Sequence, residues 1–315
     1  MTKVKTRVYC CGGAGLNVGV NLQWHPDLVY IDTCDKNVTA DHDLERVYLT
    51  EGTRGAGKNR AFIMPKVRHQ IAPFLERYPA GDFNVVLFSM GGGSGSVLGP
   101  LLVSALAKAG ETVVAVVISG IESTEVLQND IDTMKTLEGI AAATNTPISI
   151  CPIENVNGVA YSEIDKDAVF AVHSLIYLSN QKHARLDVLD LDHWARFTNK
   201  HSYIQPQLCE LHIHTSRQEA AAVPEMISVA SLYTDAAKEV AYGNPFVRTV
   251  GIASPEDEDA LSEQLHFVIN SVGIQERIKS LLDQKQEHHR QQVRYTQRAA
   301  IVDIDDNRSD DGFVL

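Results

Sequence analysis

The feature that most constrains this chain is residues 88 to 96, Phe-Ser-Met-Gly-Gly-Gly-Ser-Gly-Ser. Four of the five residues from Gly91 to Gly95 are glycine, a costly choice unless the backbone needs unusual dihedrals or close approach to a ligand. The run is preceded by the apolar stretch 82 to 88 and followed by the helical pattern 97 to 109. A flexible linker would have polar flanks, and these are core-like. A loop at the carboxyl end of a strand, opening onto a helix, can aim several N–H groups at a phosphate. Ser94 and Ser96 can add hydroxyl donors. The loop is not a Walker A motif, because no lysine follows its glycines. Nor is it a nucleophile elbow, which would need an acid and a histidine in order.

The rest of the chain gives this loop its setting. Residues 4 to 10, 28 to 31, 112 to 118 and 147 to 151 read as further buried strands. Residues 16 to 24 and 130 to 143 read as helices between them. Strands alternating with helices predict an α/β fold, a parallel sheet covered on both faces. A long amphipathic helix follows from 161 to about 180, with Val169, Val172, Leu175, Ile176 and Leu178 on its apolar side. The texture then changes. Residues 207 to 215, 247 to 253 and 265 to 271 read as strands of a smaller α/β domain. Residues 274 to 298 read as one polar helix, and 301 to 315 as a tail rich in aspartate. The expected units are a ligand-binding domain over 1–160, a central helix over 161–185, a C-terminal domain over 186–273, a C-terminal helix over 274–300 and an acidic tail over 301–315.

Composition excludes several classes of function. The formal net charge of -12 opposes nonspecific attachment to nucleic acid or to an anionic membrane. It does not oppose binding of a nucleotide triphosphate, which backbone amides can hold. No apolar run is long enough to span a bilayer, and no signal peptide is expected. The five cysteines form no paired spacing and read as buried small hydrophobes in a reducing compartment. Cys209, His212 and His214 share one strand, with the histidines alternating onto the opposite face from the cysteine. No metal-ligand spacing appears, so no protein metal site is expected.

A second glycine cluster, Gly12, Gly13, Ala14 and Gly15 with Asn17, occupies the first strand-to-helix turn. Together with Asp32 it could be a damaged dinucleotide fingerprint, but Val18 stands where the third glycine belongs. The loop 53 to 58, Thr-Arg-Gly-Ala-Gly-Lys, combines turn-forming glycines with two cations, as suits a lid over anionic oxygens. Asp187 and Asp190 form a D-x-x-D pair that would be a helix N-cap if met in isolation.

Taken together, these motifs resemble the tubulin superfamily, and the phage tubulins within it most of all. The resemblance covers essentially the whole chain. It rests on the run 91 to 100, the segment Asp130-Ile131-Asp132-Thr133-Met134-Lys135-Thr136-Leu137 and the acidic tail. The resemblance implies a tubulin-like fold, GTP and GDP as ligands with Mg²⁺, and GTP hydrolysis at a head-to-tail contact between copies. It assigns Gly12, Gly13, Ala14, Gly15, Asn17, Gly91, Gly92, Gly93, Ser94, Gly95 and Ser96 to the phosphates and guanosine. Thr53 and Arg54 would sense the terminal phosphate, and Asp32, Thr33 and Asp35 would approach the phosphate and Mg²⁺ region. Tyr161 would stack on guanine, Asp165 would read the base edge, and Glu122 would meet the ribose. Asn155 and Asn157 compete for a polar base contact, with Asn157 favoured. Asp190, partnered by Asp187, would activate the attacking water in the neighbour's site. Asp192 is expected to be solvated. The resemblance further implies a homopolymer whose acidic tail docks on the next subunit, in the cytoplasm of an infected bacterium, positioning phage DNA without touching nucleic acid or membrane. Two rivals remain: a nicotinamide-dependent oxidoreductase built on Gly13 and Gly15, and a scaffold that binds GTP without hydrolysing it.

Overall fold

The computed structural model describes residues 5–155, 158–179, 183–200, 204–239, 242–243, 245–253 and 264–299. Ten strands form one sheet. They are β1 (Thr6–Cys11), β2 (Leu28–Asp32), β3 (Val47–Leu49), β4 (Phe83–Ser89), β5 (Val113–Ile118), β6 (Ile148–Ile153), β7 (Leu208–His214), β8 (Ser228–Tyr233), β9 (Val247–Ile252) and β10 (Gln264–Asn270). Their order is β3-β2-β1-β4-β5-β6-β7-β10-β8-β9. The first six strands are all parallel, as expected for βαβ crossovers. Beyond them β10 runs antiparallel to both β7 and β8, and β9 returns parallel to β8. The second region therefore adds its strands to the edge of the first. The join is short: β6 and β7 pair in parallel over Ile148 to Ile150 and Leu208 to Glu210.

Strand alternation sorts the core into two layers. On β1, Val8 and Cys10 face one side, where they join α1 (Gly12–Gly19), α6 (Tyr161–Leu178) and α7 (Val188–Ala195) through Leu16, Val172, Leu175 and Trp194. Tyr9 and Cys11 face the other side, against α4 (Gly95–Ala109), α5 (Thr124–Thr144) and α9 (Gly273–Ala299) through Val97, Leu137 and Ile274. Both faces of each central strand are buried, which is why these segments read as continuous apolar runs. All five cysteines are free, and four of them are buried. Among the described residues no helix is long and apolar enough to cross a membrane.

Several elements depart from the sequence reading. Residues 60 to 77 form α2 (Arg60–Val67) and α3 (Ile71–Arg77), whose pattern is interrupted by Pro65 and a 3₁₀ turn. Strand β8, Ser-Val-Ala-Ser-Leu-Tyr, is fully buried although small residues dilute its signal. Helix α5 starts at Thr124, six residues before the predicted start, because Ser123 caps it by accepting from the Val126 N–H. Among the described residues α8 (Arg217–Ala222) is the remaining α-helix.

Candidate nucleotide site

The strand order places one crevice above all others. In the run β3-β2-β1-β4-β5-β6 the chain winds outward in both directions from β1 and β4, and a ligand in such a sheet binds at that switch point, beyond the strands' carboxyl ends. Both glycine loops emerge there, one after each of these strands.

The two loops are in contact. Gly12 has φ +71°, and a Cβ on it would lie 2.6 Å from the Gly95 nitrogen. A Cβ on Gly15 would meet the Leu87 carbonyl oxygen at 2.9 Å. Each loop opens directly into a helix, α1 or α4. Neither helix start has a side-chain cap, and neither has an acid in its first turn. The orphan N–H groups of two helix ends thus converge, with no acid in either helix's own first turn. Such a convergence leaves a cradle of backbone N–H groups able to hold an anion. Ser94 holds Thr33 through a 2.6 Å hydroxyl contact, and Ser96 is buried with its hydroxyl donating to the Gly93 carbonyl.

Two further loops close on the cradle. Asp32 is fully buried; it accepts from the Thr33 N–H and from Asn37 Nδ2, each at 2.7 Å, and burial raises its pKa against those bonds. Ser94 of the glycine loop also hydrogen-bonds the Asp32 carboxyl, which thus joins the two loops, while Asp35 is exposed. Asn37, which the sequence reading missed, fixes the loop beside Gly13, where a Cβ would come within 2.8 Å of its amide nitrogen. The lid at 53 to 58 carries three positive-φ residues, Gly55, Gly57 and Lys58. Thr53 Oγ1 donates toward the Thr33 carbonyl at 2.8 Å, and a Cβ on Gly93 would lie 2.7 Å from Ala56 Cβ. Arg54 is exposed on this lid. Asn17 is also exposed, one turn into α1, and Ala14 is half-buried beside the turn.

At the start of α6, Tyr161 is exposed and its hydroxyl donates to Glu122 Oε1 at 3.1 Å. Asp165 lies one helical turn further, half-buried, with burial raising its pKa. Asn155 is buried and donates to the same Glu122 oxygen at 3.3 Å. The structure brings Asn155, Glu122 and Tyr161 together; Asn157 lies outside the described residues.

The aspartate pair is elsewhere. Asp187 caps α7 in a reciprocal box: its Oδ1 accepts from the Asp190 N–H at 2.9 Å, and Asp190 Oδ2 accepts from the Asp187 N–H at 3.3 Å. Asp192, expected to be solvated, instead accepts from Thr112 Oγ1 at 2.8 Å, Asn199 Nδ2 at 3.1 Å and Arg196 at 3.3 Å. Thr112 immediately precedes β5, so α7 is moored at the amino ends of the parallel strands. The glycine cradle lies at their carboxyl ends, roughly 20 Å away for a six-residue strand. The side-chain hydrogen bonds of Asp187 and Asp190 are with each other's backbone, not with the glycine loops.

Residues 186–274 match the family model described as phage tubulin-like protein, C-terminal domain. A phage tubulin-like protein of Pseudomonas phage PhiPA3 is 69% identical over 315 residues, covering 100% of both chains. A solved structure of the phage tubulin PhuZ with GDP is similar at a TM-score of 0.91 and 48% identity, covering 99% of this chain and 100% of that one. A PhuZ201 filament structure is similar at a TM-score of 0.89 and 47% identity, with the same coverage. With a relative this similar along its entire length, the chain belongs to the phage tubulin-like protein family.

Proposed function

We propose that this chain is a filament-forming GTPase whose hydrolytic site is completed only between two copies. One observation carries the reading: a cradle of two uncapped helix starts and the helix that bears the aspartate pair, Asp187 exposed and Asp190 half-buried, are tied to opposite ends of the parallel strands. Stacking copies head to tail brings the two ends together. Such a contact is heterologous, so it does not close and it propagates as a filament. That a relative's structure contains GDP, and that another is a filament, supports both halves of the reading.

In this arrangement the backbone N–H groups after β1 and β4 hold the phosphates, and the lid closes over the terminal one. The Tyr161 ring and Asp165 face the base, because a carboxylate can accept from both N1–H and N2–H of guanine, while Glu122 approaches the ribose. Mg²⁺ would offset charge on the phosphate oxygens. The ion would be held by the nucleotide's phosphates, with the exposed Asp35 at the edge. The N-cap box spends one oxygen of each aspartate. The second oxygen of Asp190 orients the attacking water and accepts its proton, and Asp187 holds the turn in place. The acidic segment 301–315 would dock on the next copy, and filament turnover would position phage DNA in the host cytoplasm. Asp32 is occupied by Thr33 and Asn37, which speaks against the oxidoreductase reading, where it would bind a ribose.

The test is phosphate release measured across a range of protein concentrations, with light scattering recorded in parallel for GTP, GDP and a slowly hydrolysed analogue. The expected rate per subunit rises steeply with concentration and tracks assembly. A dilute monomer that hydrolyses GTP at the full rate sinks the reading.

A further inference from the structure

Segment 130 to 137 marks the family resemblance, yet nothing above gives it or its helix a task. In the structure this part of α5 lies beneath the loops of the nucleotide site. Asn129 is buried, and its side-chain Nδ2 donates both to the Lys58 carbonyl at 2.9 Å and to the Gly91 carbonyl at 3.1 Å. Lys58 is the last residue of the lid, held at φ +58°, and Gly91 is the first glycine of the phosphate loop. One amide group therefore ties both loops to one helix. One turn later the fully buried Thr133 hydroxyl lies 3.0 Å from the Met90 carbonyl and 2.7 Å from the Asn129 carbonyl. Arg60, the first residue after the lid's cap, reaches back to the same helix. Its guanidinium donates to the Asn129 carbonyl at 2.9 Å and to Thr136 Oγ1 at 3.1 Å.

The two loops also touch each other. A Cβ on Gly93 would lie 2.8 Å from the Lys58 nitrogen. Displacing either loop alone would break one of the two bonds to Asn129, and the Gly91 carbonyl, which is buried, would be left without this donor at a cost greater than the bond itself contributes. Moving both together with α5 costs neither bond. We propose that Asn129 is a positioning residue that makes the lid and the glycine loop respond to the terminal phosphate as one unit, and so sets the preference for triphosphate over diphosphate. The inference rests on the guanine-nucleotide reading of the site. Its physical content is that Asn129 touches no ligand and acts only through the Lys58 and Gly91 carbonyls.

The experiment is equilibrium titration of the full-length protein with a fluorescent GDP and a fluorescent, slowly hydrolysed GTP analogue, below the concentration at which it assembles. Asn129→Ala should reduce the ratio of the two affinities about fivefold to tenfold, the scale of one or two net hydrogen bonds. Its affinity for GDP should stay within about twofold, because the backbone cradle of α1 and α4 is untouched. Arg60→Ala, at a half-buried position, removes the second tie of the lid to α5 and should reduce the ratio about threefold. It decides the matter should Asn129→Ala fail to fold. A ratio unchanged in the variants, or both affinities falling in parallel, overturns the inference while leaving the nucleotide reading intact. A wild-type chain that binds neither guanine nucleotide overturns both.

Discussion

The two ends of the parallel sheet are built on opposite principles. At the carboxyl ends, helices α1 and α4 begin on glycine, with no side-chain cap and no acid in the first turn. At the amino ends, α7 begins on a reciprocal capping box made of two aspartates. Chain stability alone would favour a cap everywhere, since each contributes about 1 kcal/mol. The difference shows where backbone N–H groups are left for something outside the chain. A filament reconciles the two ends by setting one against the other.

The largest effect should come from cutting the acid end. Asp190→Ala should leave nucleotide affinity within about twofold and lower assembly-stimulated hydrolysis by roughly 10²–10⁴, the usual range for a group that handles the proton. Filaments of this variant should persist after the nucleotide supply is exhausted, as scattering would record. Hydrolysis near the wild-type rate would break the assignment of the acid end. Asp187→Ala should combine a smaller loss of rate with loss of the α7 cap, about 1 kcal/mol, visible as a lower melting temperature.

The cradle end should be next. Gly12 sits at φ +71° with no room for a Cβ before the Gly95 nitrogen. Gly12→Ala should destabilise the chain by about 1–3 kcal/mol, through strain in the left-handed region, and weaken GTP and GDP binding together by at least about tenfold. Gly92→Ala is the control: a Cβ there meets nothing nearer than Ser89 at 3.6 Å and φ is not positive, so folding should be nearly unchanged. Equal behaviour of the two variants would show that the cradle does not depend on the close approach of α1 to α4.

How far these ends can be read from the sequence differs as sharply. The cradle is legible because its cause is local: strand, glycines and helix are contiguous, and the apolar flanks exclude a linker. The parallel half of the sheet follows from the same local alternation. Strand β8 is not legible, because its small residues are buried by partners distant in sequence: Ser228 donates to the Trp194 carbonyl, and Ala230 packs in the layer that holds Trp194. Asn37 and Asn129 are invisible for a related reason. Each acts across loops far away in sequence, and an asparagine in a helix or turn carries no periodic signal. Asp192 shows the converse: sequence places it beside Asp190, but only the fold brings Thr112, Arg196 and Asn199 to it.

The smallest effect concerns what lies under the cradle. Asp130 is fully buried beneath the glycine loop. Its Oδ2 accepts from the Gly120 N–H at 2.9 Å, while Oδ1 has no hydrogen-bond partner and would lie 3.0 Å from a Cβ on Gly91. Burial pushes its pKa up to about 8; Glu122 and Glu154 add to the rise, and the Gly120 N–H and Arg277 oppose it. In the unfolded chain the same carboxyl titrates near 4. The folded-state pKa is the higher one, so the contribution to stability is full below about pH 4 and is lost as pH rises to about 8. Above that the chain holds an unpaired charge beneath its anion cradle. Asp130→Asn keeps an acceptor for the Gly120 N–H and removes the titration. The variant should therefore gain on the wild type between pH 6 and pH 9, by up to about 1.4 kcal/mol per pH unit until the wild-type group ionises. Melting curves across that window provide the check. Two parallel curves would mean that Asp130 is already ionised at pH 6, and that the cradle end tolerates a buried negative charge which its acid-free helix starts otherwise avoid.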